Sequence, residues 1–163
     1  MNSNKVIIKA AMLAALTFIA TIVIKIPSPL NGYLNLGDAL VLLTSYLLSP
    51  TIAFLAAGIG SALADAASGY FIYIPATFLI KGLMSLLFSL IIRHSKERKI
   101  LSKIIGGVLA EILMVGGYYI FEGFLYGFGA SMINIFPNAL QGIVGFIIGM
   151  ILVKLFYKYR ILE

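Results

Sequence analysis

The sequence has no cysteine, no tryptophan and one histidine, and only 11% of its residues are charged. Without cysteine there is no disulfide, no thiol nucleophile and no thiolate metal site, and the redox compartment is left open. His94 lies in a basic segment with no second histidine anywhere, so imidazole metal sites and histidine-activated nucleophiles lack a partner. No glycine loop followed by Lys-Ser or Lys-Thr offers a cradle for nucleotide phosphates. The scarcity of charge argues against disorder, against a nucleic-acid-binding surface and against most cytosolic enzymes. What fills the 163 residues is hydrophobic side chain, 61% of the total. A soluble domain carries about 45–50% apolar and about 25% charged residues. The chain therefore reads as one compact integral membrane domain over 1–163, not an enzyme, with no cofactor or metal expected.

Six apolar stretches cover about 6–26, 38–49, 51–68, 75–92, 101–125 and 132–157. A membrane helix needs about 20 residues, so six spans and short loops use the whole length, with the second stretch short for a full span. The runs are continuous rather than alternating, which fits helices and not barrel strands. The expected fold is an all-α bundle of six transmembrane helices. Lys5 and Lys9 precede the first stretch, Arg93, Lys96, Arg98, Lys99 and Lys103 flank the fourth loop, and Lys154, Lys158 and Arg160 close the sixth. With six spans these clusters share one side and only Lys25 marks the other, so the N- and C-termini are expected in the cytoplasm. The first stretch has a basic start but no small-residue cleavage signature before Pro27, and it reads as a retained span rather than a signal peptide.

A charge at mid-span costs about 2.5–3.5 kcal/mol on insertion scales, so each one needs a reason. Asp65 and Lys81 lie at matching depths near the outer ends of the third and fourth helices and are candidates for a neutralising pair. On the fifth helix Glu111, Val115, Tyr118, Glu122 and Tyr126 share a face. Its tyrosines read either as an interfacial belt or, for Tyr118 beside a carboxylate, as part of a site. On the sixth, Asn134, Asn138 and Gln141 share a face that continues as Gly145 and Gly149. Unpaired buried amides are expensive, so this face reads as an outward polar pocket over a tightly packed floor, or as amides that glue helices together. In the loop before the second helix, Tyr33 and Asn35 are placed to touch a ligand, and Asp38 is placed to cap the helix or line the pocket. Ala10, Ala11, Ala14 and Ala15 form two overlapping Ala-x-x-x-Ala pairs, a small-residue packing surface.

Taken in order, the Ala-rich first helix, Leu36-Gly37-Asp38, the run from Gly58 to Asp65, Pro75-Ala76-Thr77 with Lys81-Gly82, and Pro137-Asn138 with Gln141 resemble the substrate-binding S component of energy-coupling factor (ECF) vitamin transporters. The similarity spans nearly the whole chain and is greatest to the riboflavin, hydroxymethylpyrimidine and pyridoxine-like subfamily. The resemblance implies a vitamin or vitamin-precursor receptor in a prokaryotic cell membrane. Such a receptor captures its ligand from outside, docks on a transmembrane coupling subunit carried by two cytoplasmic ATPases, and topples to deliver the ligand inward. It maps the coupling contact onto Ala10, Ala11, Ala14 and Ala15. It maps the pocket onto Asn35, Lys81, Tyr118, Glu122, Asn134, Asn138 and Gln141, to which the reading of the loop adds Tyr33 and Asp38.

Aromatic rings, carboxylates and carboxamides suit a small flat heterocycle with hydroxyl or amino groups. Hydroxymethylpyrimidine and the B6 vitamers fit, and riboflavin is a larger alternative. Two readings of other classes stay open. A stand-alone secondary carrier or small channel would use Asp65, Lys81 and Glu111 as an ion path and would work alone in liposomes. A packing protein would lose only stability, not binding, when Asn138 or Glu122 is replaced.

Overall fold

The computed structural model describes residues 3–30, 32–94 and 100–159; Asn31 and the basic residues Lys96, Arg98, Lys99 and Arg160 lie outside the described residues. Long helices are α1 (Ser3–Val23), α3 (Pro50–Ala67), α4 (Ile74–His94), α5 (Ile100–Tyr126) and α7 (Ile135–Tyr159), with the shorter α2 (Gly37–Leu47) and the single turn α6 (Phe128–Ser131) between them. Two 3-10 turns, Phe71–Tyr73 and Met132–Asn134, lead into α4 and α7. Between α1 and α2 a small hairpin pairs β1 (Ile26–Pro27) antiparallel with β2 (Tyr33–Leu34).

Among the described residues five helical segments are long and apolar enough to cross a membrane; α2, from the stretch already short for a full span in the sequence, is an apolar helix of only 11 residues. At about 1.5 Å per residue, α2 is roughly 16 Å long against a hydrocarbon core of about 30 Å. Its C-terminal end is closed by the Arg93 guanidinium, which donates to the Leu48 carbonyl oxygen at 2.6 Å. A cation there satisfies an orphan acceptor and opposes the helix dipole. Helix α1 also stops earlier than expected, at Val23 rather than residue 26. Pro27 disfavours the α conformation in the residue before it, and Ile26 pairs in the hairpin instead. At the other end of the bundle, α3 closes on Gly69, whose φ of 82° is the left-handed conformation that ends many helices.

The bundle is apolar outside and mixed within. Ile8, Leu63, Leu79, Ile112, Phe136 and Ile147 point outward, as lipid-facing side chains must. Inside, Val41, Leu42, Met84, Phe88, Ala110 and Met114 form the main core, with Leu13, Leu48, Ala53 and Ala56 as a second cluster under α1. Several buried hydroxyls are satisfied locally or across helices: Thr17 donates to the Leu13 carbonyl oxygen at 2.9 Å, and Ser45 to Ser85 at 2.8 Å, whereas Thr44 Oγ1 and Ser61 Oγ have no hydrogen-bond partner. Helix α3 packs between α1 and α4, and α2 lies along α7. That last contact needs glycine. A Cβ on Gly145 would stand 2.6 Å from Asp38 Cβ, and one on Gly149 would stand 3.0 Å from Leu42.

Candidate functional site

The hairpin folds back over the adjacent end of the bundle and roofs a cavity of about 390 Å3, mouth included. Three layers of side chains build it. In the roof, the Tyr33 hydroxyl donates to Asp65 Oδ1 of α3 at 2.7 Å, and its ring packs on Tyr70 with centroids 4.9 Å apart. Lys25 lies over the same ring at 5.8 Å and donates to Ser68 Oγ at 3.0 Å. Burial, and then the neighbouring Asp65 charge, push the Tyr33 phenol well above its ordinary value, so it remains a donor. Two further straps hold the roof to the end of the chain: Leu30 N–H reaches Asn134 Oδ1 at 3.4 Å, and Asn35 N–H reaches Gln141 Oε1 at 3.0 Å.

The walls are aromatic and acceptor-rich. Glu122 Oε1 of α5 accepts from Asn134 Nδ2 at 2.9 Å and from the Tyr73 hydroxyl at 3.3 Å. Thr77 and Tyr118 share a hydrogen bond at 3.0 Å. Asn138 and Gln141 of α7 complete the lining. Below lies the floor, where Lys81 of α4 forms a buried ion pair with Asp38, and Gln141 Nε2 donates to the second Asp38 oxygen at 2.6 Å. Glu111 of α5 is buried beside Gly142 and Gly145, and neither of its oxygens has a partner.

Of the residues the sequence singles out, Tyr33, Asn35, Tyr118, Glu122, Asn138 and Gln141 converge on the cavity. Asp38, Lys81 and Asn134 stand behind its surface and hold the lining in place. Two expectations are corrected. Lys81 pairs with Asp38, not with Asp65, because Asp65 is taken by Tyr33 and because α2 starts deep enough to bring its first turn to the ammonium. Asp38 does not cap α2; Asn35 Oδ1 accepts the Gly37 N–H at 2.9 Å, and Leu36 at the cap position makes no side-chain bond. On α1, Ala10 and Ala14 pack inward on the second core cluster. Ala11, Ala14 and Ala15 edge an open groove with Phe18, Leu63, Ala66 and Ala67.

The cavity also takes Ser28, Gly32, Asp65, Tyr70, Tyr73 and Thr77. For two of these a signal exists in the sequence. Tyr73, Thr77 and Lys81 recur every four residues, a polar stripe on one side of an otherwise apolar helix. Tyrosine faces in such a lining can stack on a flat ring, and its carboxylate and carboxamide groups can read the ring's edge.

The family model for the S component of the ECF-type riboflavin transporter matches residues 1–158. The chain belongs to that family. Among curated proteins, the S component is 30% identical over 165 residues to the thiamine precursor transporter HmpT of Lactococcus lactis subsp. cremoris, covering 98% of this chain and 94% of that one. It is also 35% identical over 133 residues to a protein of Pyrococcus woesei described only as uncharacterized, covering 80% and 87% of the two chains. The fold matches a solved S component of a bacterial ECF transporter with a TM-score of 0.71 at 24% identity, covering 98% of this chain and 99% of that one. The protein is thus a multi-pass membrane S component of a vitamin-transporter family, built on that family's helical bundle.

Proposed function

We propose that this S component captures a small vitamin or vitamin precursor, hydroxymethylpyrimidine or a B6 vitamer, in the roofed cavity at its outer end. It then delivers the ligand inward when docked on a coupling subunit and two ATPases in a prokaryotic plasma membrane. The single observation that carries the reading is the cavity itself, where a hairpin is strapped by Asp65, Asn134 and Gln141 over a tyrosine-walled, acceptor-lined space. The thiamine precursor named for the Lactococcus relative supports a small heterocycle, and so does the narrowness of the cavity. At about 390 Å3, mouth included, it suits a single-ring heterocycle better than a three-ring one. Riboflavin is the second reading, favoured by the family's description.

In this reading residues 1–163 form a single domain with both termini in the cytoplasm, as the basic residues at the ends and in the α4–α5 loop favour. The binding residues are Tyr33, Asn35, Tyr118, Glu122, Asn138 and Gln141, positioned by Asp38, Lys81 and Asn134. The groove edged by Ala11, Ala14 and Ala15 receives the coupling subunit, and Ala10 supports it from within. Mass spectrometry of small molecules released from gently purified protein tests the reading, with Asn138→Ala as the control. A stoichiometric heterocycle that the variant loses is the expected result. A wild-type protein that releases nothing and is stabilised by no B vitamin or precursor refutes it.

A further inference from the structure

Two carboxylates face the cavity, and each is only half used. Asp65 is 5% exposed and Glu122 is 2% exposed, yet Asp65 Oδ2 and Glu122 Oε2 have no hydrogen-bond partner. Their other oxygens are occupied by groups that donate: the Tyr33 hydroxyl on Asp65, and the Tyr73 hydroxyl with Asn134 Nδ2 on Glu122. Both side chains are therefore oriented as acceptors, each with one acceptor position left for an occupant. A buried acceptor left empty carries its full desolvation penalty, so an occupant that supplies donors gains what the empty site lacks. Among the described residues, no lysine or arginine is in the lining. The nearest buried ammonium, Lys81, is neutralised by Asp38 beneath the floor.

Resting on the capture reading above, we propose that Asp65 and Glu122 make the site selective for flat heterocycles that bear an amine together with a second hydrogen-bond donor, and make it reject phosphorylated forms of the same molecules. An exocyclic amine offers N–H donors to one free oxygen and gains further if protonated, because a charge-assisted bond is about twice as strong as a neutral one. A neighbouring hydroxymethyl group supplies the other donor. A phosphate ester brings charge of the same sign as both carboxylates into a space whose described lining holds no cation, Lys25 lying over the Tyr33 ring and committed to Ser68. Riboflavin has no exocyclic amine: its isoalloxazine edge offers a single ring N–H flanked by two carbonyl oxygens that a carboxylate repels.

Titration calorimetry on the purified protein with matched probes tests this. The first pair is 4-amino-5-hydroxymethyl-2-methylpyrimidine and its 4-hydroxy counterpart; the second is pyridoxamine and pyridoxine. The aminopyrimidine phosphate ester and riboflavin are run beside them. Each amine that binds is expected to bind at least 10-fold tighter than its hydroxyl partner, about the effect of one hydrogen bond to a charged group. The ester is expected to show no measurable binding. Glu122→Gln and Asp65→Asn, which keep shape but turn an acceptor position into a donor, are expected to erase the amine preference, whereas Asn138→Ala weakens both members of a pair alike. Tight binding of riboflavin or pyridoxine with no preference for amines overturns the selectivity while leaving vitamin capture intact. So do carboxamide variants that keep the preference. A protein that unfolds cooperatively but binds no probe overturns both.

Discussion

The Asp38–Lys81 pair has side chains 0% and 3% exposed, so its members are hostages to each other. Coulomb attraction inside the bundle offsets the cost of desolvating both ions, and removing one partner leaves the other charge buried and unpaired. Lys81→Met is therefore expected to destabilise the protein by about 3–5 kcal/mol, read as a fall in midpoint during thermal unfolding in detergent. Adding Asp38→Asn in the same chain should recover a large part of the loss. If the double variant is no more stable than Lys81→Met, the pair is not what the lysine serves. Tyr33 gives a pH-dependent case. Its phenol is raised above the ordinary value of 10.0, chiefly by burial and then by Asp65, so the folded state holds that proton more tightly than the unfolded chain does. The contribution is fully present below about pH 10 and is lost as pH rises beyond it. Tyr33→Phe should flatten the decline of stability above pH 10 relative to wild type and leave the curve between pH 6 and 9 parallel to it. An unchanged slope above pH 10 would refute the assignment.

Among the elements, the α2–α7 contact shows how one missing side chain sets a distance. Alanine is normally better than glycine inside a helix by about 1 kcal/mol. At Gly116 of α5, where a Cβ would meet nothing within 4 Å, Gly116→Ala should be neutral or stabilising. At Gly145 the same change places a methyl 2.6 Å from Asp38 Cβ, and overpacking of about 1–3 kcal/mol outweighs the propensity gain. The two substitutions should thus move the unfolding midpoint in opposite directions. Much of this was readable in the sequence: the Asn138-Gln141-Gly145-Gly149 face announced polar groups above a close approach, and the structure puts Asp38 and Leu42 of α2 against it. Partner choice was not readable. The depth of Lys81 matched Asp65 along the chain, but a half-length helix beginning inside the bundle brings Asp38 closer, and helix periodicity says nothing about where a neighbouring helix starts. The hairpin was equally hidden, because its two-residue strands are too short for an alternating pattern to register. The cavity's tyrosines fall between these cases, with Tyr73 and Thr77 lying on the Lys81 stripe while Tyr70 comes from a turn that has no period.

For the molecule as a whole, capture and delivery require two surfaces that do not interfere. The cavity is built from the hairpin, the adjoining ends of α3, α4 and α5, and the start of α7. The alanine groove runs between α1 and α3 on the bundle's flank. Five of the seven residues that edge it are alanines where most lipid-facing positions carry Leu, Ile or Phe, so the backbones there are open to close approach by another helix. Ala11 and Ala15 are exposed and support no packing within the bundle, unlike Ala10 and Ala14, so enlarging them should leave the fold alone. Ala11→Leu combined with Ala15→Phe is expected to keep ligand affinity within about 2-fold of wild type while abolishing both co-purification with a coupling subunit and uptake by cells expressing the complete transporter. The reverse pattern is expected from Asn138→Ala, which should keep the assembly and lose the ligand. Uptake that survives in the alanine double variant would move the docking surface elsewhere on the bundle. Uptake by the solitary protein in liposomes would remove the need for a coupling subunit altogether and turn attention to the buried cluster of Asp38, Lys81 and Glu111 as an ion path.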